Sequence, residues 1–353
     1  MVSDGDGRRH SGCPAAKRAS VVRFRVMSSK ALITGGAGFI GSHLAECLRE
    51  RDRKLILVDD LSTGRLSNVQ HLIDPSGDTC TLIRARTSDA LRDHPELLDD
   101  VEQIFHMAAS VGVKLVADDP ASMMENNVVE TLALLRAASV RGKRVLIAST
   151  SEVYGRRNKM PLNEEDELVY GPTNSPRYGY AISKALDEHL ALAHHTNGTL
   201  KALIVRLFNA IGLRQIGRWG MVIPRFIRAA VRNEDLIIYG DGRQTRCFCD
   251  VRDLVRAAVT LMDDGAHDGK VFNIGSDREI SIRDLADLVI DLAGSRSAKR
   301  FVDFDEVYPR GFVDIERRVP DLTKLRRATG FKPDHDLEDT LSELIAAARN
   351  LEE

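Results

Sequence analysis

The chain has 353 residues, of which 43% are hydrophobic and 29% charged, with a formal net charge of −2 at pH 7. This length suffices for a substantial core and suggests two domains, or one large α/β unit with an attached lobe. The near-neutral charge argues against a nucleic-acid binder, which is usually basic. No apolar run approaches the roughly 20 residues that cross a membrane. We therefore expect neither nucleic acid nor a membrane as a partner, and a cytoplasmic location.

The five cysteines form no Cys-x-x-Cys pair and no cluster with histidines. We therefore expect neither a disulfide framework nor a metal site, and we interpret Cys247 and Cys249 as packing residues on a predicted strand. Residues 1–28 are rich in Gly, Ser and Arg and lack the apolar segment of a secretory signal, which predicts a disordered basic tail. Because the fold is expected to begin just after Met27, we also consider the hypothesis that translation starts at Met27.

Apolar strands alternate with amphipathic helices from residue 30 onward. The predicted elements are strand 31–33, helix 39–48, strand 55–58, strand 103–106, helix 124–139, strand 144–148, helix 180–195 and strand 202–207. This alternation predicts right-handed βαβ units. Continuously apolar strands are typical of a parallel sheet that is covered on both faces. The fold class expected is therefore α/β, with a doubly wound parallel sheet.

The pattern changes after Asn209, where loops rich in Gly, Arg and Pro separate shorter elements. The predicted elements here are helix 224–231, strand 236–239, helix 282–293 with Ser281 as its N-cap, and helix 336–351. We interpret this half as a smaller, mixed lobe that covers the mouth of the sheet.

A glycine-rich turn joins the first strand to its helix. Gly35, Gly38 and Gly41 lie in the segment Thr-Gly-Gly-Ala-Gly-Phe-Ile-Gly. Such glycines permit a tight turn and a close approach to a pyrophosphate, and the helix N-terminus offers free N–H groups. Asp59, at the end of the second strand, is placed to hold an adenosine ribose. Asp59 and Asp60 together would repel a 2′-phosphate, so the sequence favours NAD over NADP.

The order of strand, glycine loop, helix, strand and acid predicts a Rossmann sheet that binds a dinucleotide. We assign residues 29–210 to an NAD-binding domain, to which the chain returns at about 245–275. Residues 211–353 would form mainly the substrate-binding lobe.

Tyr180 and Lys184 are four residues apart in a predicted helix, which puts both side chains on one face. A nearby ammonium lowers the pKa of a phenol, and a phenolate can take a proton from a sugar hydroxyl while hydride leaves the same carbon. Because the pair follows the strand 144–148 of a dinucleotide-binding fold, we predict proton transfer rather than core packing for Tyr180.

Polar residues follow the strand 144–148 at the carboxyl edge of the sheet, where ligands bind. Thr150 and Ser151 offer hydroxyls that can hydrogen-bond a reacting oxygen. Glu152 can either move a proton or cap the next turn, and the residues alone leave both roles open.

These motifs resemble the extended short-chain dehydrogenase/reductase family of NAD-dependent nucleotide-sugar epimerases, dehydratases and decarboxylases. The resemblance extends from about residue 30 to the C-terminus. Its further motifs are Leu61–Gly64, His106–Ala109, Asn127, Ser149–Gly155, Arg206–Asn209 and Gly240–Arg246. Arg86 departs from the family pattern, which often has an acid or Ser near the adenine.

The resemblance implies a role for each matching residue. The catalytic residues would be Thr150, Tyr180, Lys184 and Glu152. The cofactor would contact Gly35, Gly38, Phe39, Ile40, Gly41, Asp59, Asp60, Ser62, Thr63, Gly64, Ala108, Ala109, Asn127, Tyr180 and Lys184. The nucleotide sugar would contact Ser151, Arg177, Asn209, Arg225, Arg246 and Arg310. Asn209 and Arg246 match residues that hold its diphosphate.

Within the family, the stretches 171–177, 246–253 and 308–318 are most similar to UDP-glucuronate decarboxylases. By that likeness Glu152, Ser151, Arg177 and Arg246 would handle the C5 proton and the uronate carboxylate. The resemblance also implies a homodimer joined by helices 124–139 and 180–195 in a four-helix interface.

The expected reaction starts with oxidation at C4 of a UDP-sugar. A C6 carboxylate is then β to a ketone and leaves as CO₂, which gives a UDP-pentose or a UDP-4-keto-pentose. The same first step serves a 4-epimerase and a 4,6-dehydratase, so both remain alternatives to the decarboxylase. The non-enzyme alternative is an NAD-sensing binding protein, a class that usually lacks the Tyr or the Lys.

Overall fold

The computed structural model describes residues 29–111, 119–217, 221–307 and 315–350. The predicted tail 1–28, Met27 and Arg310 lie outside the described residues. The strands of the described part are β1 (Lys30–Thr34), β2 (Lys54–Val58), β3 (Cys80–Ile83), β4 (Val101–His106), β5 (Arg144–Thr150), β6 (Lys201–Leu207), β7 (Ala210–Ile211), β8 (Leu236–Tyr239), β9 (Thr245–Cys247), β10 (Cys249–Asp250), β11 (Val271–Ile274), β12 (Glu279–Ser281) and β13 (Lys299–Val302).

The α-helices separate these strands. They are α1 (Phe39–Arg49), α2 (Thr87–Asp93), α3 (Pro120–Ser139), α4 (Gly179–Thr196), α5 (Val222–Val231), α6 (Val251–Asp263), α7 (Ile282–Leu292), α8 (Phe304–Val307), α9 (Thr323–Thr329) and α10 (Leu337–Asn350). None of these helices is long and apolar enough to cross a membrane.

Seven strands form one sheet in the order β11-β6-β5-β4-β1-β2-β3, and every pairing in it is parallel. β1 lies between β2 and β4, so the strand order reverses beside β1. In doubly wound sheets the ligand crevice opens at this point, outside the carboxyl ends of the strands. The doubly wound α/β architecture expected from the sequence is confirmed.

Helices cover both faces of the sheet because each carries an apolar stripe. On one face, Leu44 and Leu48 of α1 pack with Leu254 of α6 against the strands. On the other face, Leu134 and Leu135 of α3 pack beside the buried face of α4. Each such leucine, fully removed from water, stabilises the fold by about 2 kcal/mol. The sheet is thereby held rigid below the site.

The second lobe has a separate core in which α5, α7 and α10 pack around β8. Two-stranded pairs complete it, namely β13 with β8, β12 with β9 and β10 with β7. The Ser281 side chain caps α7 by accepting a hydrogen bond from Asp284 N at 3.0 Å, as expected. This lobe lies over the carboxyl edge of the sheet and forms the other wall of the cavity described below.

Three local predictions were incomplete. β5 continues through Thr150 rather than ending at Ala148, and a 3₁₀ turn over Ser151–Tyr154 follows at once. The strand expected around Cys247 and Cys249 is divided into β9 and β10. No prediction was made for β3, α2, α6 or β11. A four-residue strand has a weak periodic signal, whereas α6 carries Leu254, Val255, Ala258 and Val259 at helical spacing, so its signal was present in the sequence.

Candidate active site

A cavity of about 900 Å³ opens at the carboxyl ends of the central strands, between the sheet and the second lobe. A volume of this order lies at the upper end of the range for small-molecule and cofactor sites, which is about 300–1,000 Å³. The predicted site residues that line it are Gly35, Gly38, Phe39, Ile40, Gly41, Asp59, Asp60, Ser62, Thr63, Ala108, Ala109, Asn127, Thr150, Ser151, Glu152, Arg177, Tyr180, Asn209, Arg225 and Arg246. Gly64 and Lys184 do not line the cavity, and Arg310 lies outside the described residues.

The glycine loop packs so closely that a larger residue at Gly35 or Gly41 would collide with the neighbouring backbone. Gly35 has a φ of +67°, and a Cβ at this position would approach Ala108 N within 2.8 Å. A Cβ at Gly41 would collide with the carbonyl oxygen of Gly35. Only glycine permits this backbone. The resulting tight turn leaves the N–H groups at the N-terminus of α1 facing the cavity, and a pyrophosphate is bound at this place in this type of fold.

Asp59 and Asp60 lie beside the glycine loop at the end of β2. The Asp59 carboxylate accepts hydrogen bonds from Ala37 N at 2.9 Å and from Leu61 N at 2.8 Å. Burial raises the pKa of Asp59, and these two bonds oppose the rise. Asp60 Oδ2 lies 4.0 Å from Arg86 Nε at the exposed end of the cavity. This end therefore offers carboxylates for ribose hydroxyls together with one cation.

Tyr180 and Lys184 differ in exposure although they share one face of α4. Tyr180 lines the cavity, whereas Lys184 is buried and its Nζ lies 2.8 Å from Asp187 Oδ2. The expected lowering of the Tyr180 pKa is not found in the protein alone. Burial raises it, the negative charges of Glu152 and Asp187 raise it further, and a hydrogen bond with Thr150 acts in the opposite direction. The ammonium of Lys184 is already balanced by a carboxylate.

Glu152 lies between two arginines at the carboxyl end of β5. Its Oε1 is 2.6 Å from Arg318 Nη1, and its Oε2 is 3.2 Å from Arg177 Nη2. Burial raises the pKa of Glu152, but the two guanidinium groups outweigh burial and lower it to about 2. Glu152 is therefore ionised at neutral pH. The Thr150 hydroxyl, not Glu152, caps the following turn, by accepting a hydrogen bond from Glu152 N.

Polar groups from the segment after β6 and from the second lobe form the opposite wall of the cavity. Asn209 Nδ2 donates to Cys247 O at 2.8 Å, and Arg246 Nη1 donates to Ile315 O at the same distance. The guanidinium of Arg225 lies 4.3 Å from the centre of the Tyr239 ring, within the range of a cation–π contact. These cations suit an anionic ligand such as a diphosphate.

A comparison with protein families shows which enzymes share this arrangement. Residues 31–275 match the NAD dependent epimerase/dehydratase family. The chain belongs to this family. Its cofactor is NAD, and the glycine loop and Asp59 fit that dinucleotide. The expectation of an enzyme rather than a binding protein is confirmed, as is the resemblance found in the sequence.

Two curated members of the epimerase/dehydratase family are decarboxylases. The UDP-N-acetyl-alpha-D-glucosaminuronate decarboxylase of Bacillus cytotoxicus is 41% identical over 92% of this chain and 99% of its own length. The UDP-glucuronic acid decarboxylase 1 of Danio rerio is 34% identical over 89% of this chain and 71% of its own length.

Solved structures of the family share the fold. The UDP-glucuronic acid 4-epimerase of Bacillus cereus, in complex with UDP-glucuronic acid and NAD, superposes with a TM-score of 0.80 and 28% identity. The match covers 91% of this chain and 99% of that structure. The comparisons thus include both a decarboxylase and an epimerase reaction on hexuronates.

The sequence analysis did not assign Arg318, which touches both Glu152 and Ser151. The signal was present in the pair Arg317-Arg318 within the stretch 308–318, but the sequence does not say which arginine faces inward. The structure decides this, because Arg318 is 5% exposed. Arg317 instead pairs with Glu279 at the surface. Asp187 was also missed, since an acid three residues after Lys184 has no distinctive spacing.

Proposed function

We propose that this protein is an NAD-dependent decarboxylase of a UDP-hexuronate, with UDP-glucuronate as the substrate and a UDP-pentose or UDP-4-keto-pentose as the product. The observation that carries the proposal is the group of Arg177, Arg318 and Glu152 in the same cavity as Tyr180. The two guanidinium groups carry one more charge than Glu152 offsets, and this excess positive charge suits a substrate carboxylate rather than a neutral hexose.

The chemistry at C4 begins with removal of the proton from the C4 hydroxyl. When bound, NAD supplies the acceptor for the hydride of C4. Tyr180 takes the proton of the C4 hydroxyl, and the Thr150 hydroxyl, which interacts with the phenol, orients the oxygen. We assign the principal acid–base role to Tyr180. Proton removal by a positioned side chain accelerates such steps by about 10²–10⁴-fold.

The arginines act on the carboxylate at C6. Arg318 and Arg177 have side chains that are 6% and 14% exposed, so their charges are poorly screened by water. Either guanidinium can position a uronate carboxylate by paired hydrogen bonds. The hydroxyls of Thr150 and Tyr180 can hydrogen-bond the enolate oxygen that forms at C4 when CO₂ leaves. Water supplies the proton that C5 then takes up, which gives the 4-keto-pentose. Return of the hydride to C4 and of the Tyr180 proton to the C4 oxygen gives the UDP-pentose.

Glu152 orients these arginines in our proposal and does not donate the C5 proton. A carboxyl group with a pKa of about 2 carries no proton at neutral pH. It also places a negative charge beside the binding site for the uronate carboxylate. Departure of CO₂ removes the like charge of the substrate from this neighbourhood, which favours the step.

Two alternative activities have specific support. The Bacillus cytotoxicus relative, which matches almost over its full length, acts by its name on an N-acetylated uronate. UDP-N-acetylglucosaminuronate is therefore the second candidate substrate. A 4-epimerase is the second candidate reaction, since the similar Bacillus cereus structure holds UDP-glucuronic acid.

The assembly and location are further proposals. Val129 on α3 and Leu186 on α4 are 54% and 42% exposed, although neighbouring helix faces are buried in the core. Exposed apolar side chains on two adjacent helices are typical of an interface. We propose that α3 and α4 join two copies in a four-helix interface. We also propose a cytoplasmic location, which cell fractionation with an antibody would test.

The experiment that tests the proposal is an NMR time course with UDP-glucuronate, in parallel with UDP-N-acetylglucosaminuronate, and a catalytic amount of NAD⁺. Loss of the uronate with new pentose anomeric signals and released CO₂ is the expected result. Accumulation of NADH would show that the 4-keto product leaves. Formation of UDP-galacturonate with all carbons retained would make the enzyme an epimerase and overturn the proposal.

A further inference from the structure

A buried acid lies directly behind the proposed catalytic pair. Asp187 is one turn along α4 from Lys184, and its Oδ2 is 2.8 Å from Lys184 Nζ. The side chains of Lys184 and Asp187 are 2% and 0% exposed. Burial raises the pKa of Asp187, and the Lys184 ammonium and the Thr131 hydroxyl oppose this rise. The proposed mechanism gives this carboxylate no part, and a buried carboxylate is costly to keep unless it is paired.

The other charged groups near α4 are balanced among themselves. Glu188, from the same helix, is bound by Arg206 of β6, with Nη2 at 2.8 Å from Oε2. The Ser149 hydroxyl of β5 also donates to Glu188. His106 of β4 is uncharged, because burial and the Lys184 charge lower its pKa to about 3. Its Nε2 lies 2.9 Å from the Thr131 hydroxyl of α3.

Glu152 and Asp187 are therefore the carboxylates that act on Tyr180. Glu152 faces Tyr180 from the turn after β5 and is held by Arg177 and Arg318. Asp187 lies on α4, where it pairs with Lys184 at 2.8 Å, and its negative charge also raises the pKa of Tyr180. A lysine without a carboxylate partner would favour the phenolate of Tyr180, whereas the Lys184–Asp187 pair has no net charge.

We infer that Asp187 is a positioning residue that fixes the Lys184 ammonium and offsets its charge, and thereby sets the pH at which Tyr180 loses its proton. The inference rests on the proposed roles of Tyr180 and Lys184. A Lys184 side chain that is bound by the Asp187 carboxylate keeps its remaining N–H groups in one orientation. The tyrosine then depends on the bound ligands, and not on Lys184 alone, to become a base.

The test compares Asp187→Asn with the wild-type holoenzyme. The amide can still accept a hydrogen bond from Lys184, but it carries no charge. We expect the acid limb of the kcat/KM profile to move about one pH unit lower, because an uncompensated ammonium favours the phenolate. Tyrosine labelled with ¹³C at Cζ, with the Tyr180 signal assigned through Tyr180→Phe, should show a lower titration midpoint without any turnover.

Asp253→Asn is the matched control. Asp253 is a fully buried carboxylate on α6 that pairs with Arg256, and it does not line the cavity. This variant should lose stability while keeping the wild-type pH profile. An unchanged acid limb in Asp187→Asn, or a shift to higher pH, would overturn the inference and leave Asp187 a structural residue.

Two further variants at Asp187 separate the effect of its charge from an effect on folding. If Asp187→Asn does not fold, Asp187→Ser removes the same charge and leaves room for a water beside Lys184. Asp187→Glu restores the charge and should return the acid limb towards the wild-type position. Failure of the proposed function is recognised separately, because it would appear in the NMR time course as a product that retains all carbons, whereas failure of this inference appears only in the pH dependence.

Discussion

Arg318 Nη1 lies 2.6 Å from Glu152 Oε1, a contact between residues that are 166 positions apart. It joins the last part of the chain to the carboxyl end of β5, beside Tyr180. The contact offsets the cost of burying the Arg318 charge. The contact completes the anionic-ligand site from two distant segments, and it leads to the first prediction.

Arg318→Ala should lower kcat/KM for UDP-glucuronate by about a hundredfold, since a hydrogen bond to a charged group stabilises by up to about 3 kcal/mol. Steady-state kinetics measures this. Arg317→Ala is the matched control, because Arg317 has a side chain that is 57% exposed and pairs with Glu279. Equal losses in both variants would contradict the assignment of Arg318 to the site.

Tyr180→Phe should lower the turnover number by about 10²–10⁴-fold, as expected for loss of a positioned acid–base group. NAD should still bind, which fluorescence quenching can show. Tyr178→Phe is the control on the same segment. Tyr178 packs against Tyr170, with the ring centres 6.1 Å apart, and this variant should remain active. Activity retained in Tyr180→Phe would assign the proton transfer to another group.

Glu152 should stabilise the fold in a pH-dependent way. Its pKa is about 2 in the folded chain against an ordinary value of 4.5. A depressed pKa stabilises the fold above the unfolded value, by about 3 kcal/mol here, and this contribution is lost as the pH falls from 4.5 towards 2. Urea unfolding of wild type and Glu152→Gln should therefore differ by a constant amount from pH 7 to about 5, and by less at pH 3. A difference independent of pH would refute the ion pairing.

The adenosine end of the cavity should discriminate between NAD and NADP through opposing charges. Asp60→Asn should weaken the preference for NAD, because it removes a charge that repels a 2′-phosphate. Arg86→Ser should strengthen that preference, because Arg86 Nε lies 4.0 Å from Asp60 Oδ2 and offsets its charge. Binding titrations with both cofactors measure the ratio. Arg84→Ser, at an exposed position that does not line the cavity, should leave it unchanged.

Leu186→Glu should convert the proposed dimer to a monomer, because it places a charge in the centre of the α3–α4 face. Light scattering at micromolar concentration measures the mass. Val140→Glu is the control, since Val140 is 83% exposed just beyond α3 and away from that face. A wild-type protein of monomeric mass would remove the proposed interface altogether.

The sequence determined the fold class, the NAD site and the Tyr180–Lys184 pair. These features follow from short-range rules: alternating apolar strands and helices, glycines that only one turn geometry requires, and a spacing of four on a helix. Each rule operates within one or two neighbouring elements, so the order of residues is sufficient to apply it.

The tertiary structure alone decided which charges meet. Arg318 rather than Arg317 faces Glu152, and Lys184 is paired with Asp187 at 2.8 Å instead of acting freely on Tyr180. Burial and charge pairing depend on segments that are far apart in the chain, and a charge has no periodicity that reveals its partner. For this reason the sequence predicted residues that the structure brings to one cavity, but it did not predict the negative charges that raise the pKa of Tyr180 in the protein alone.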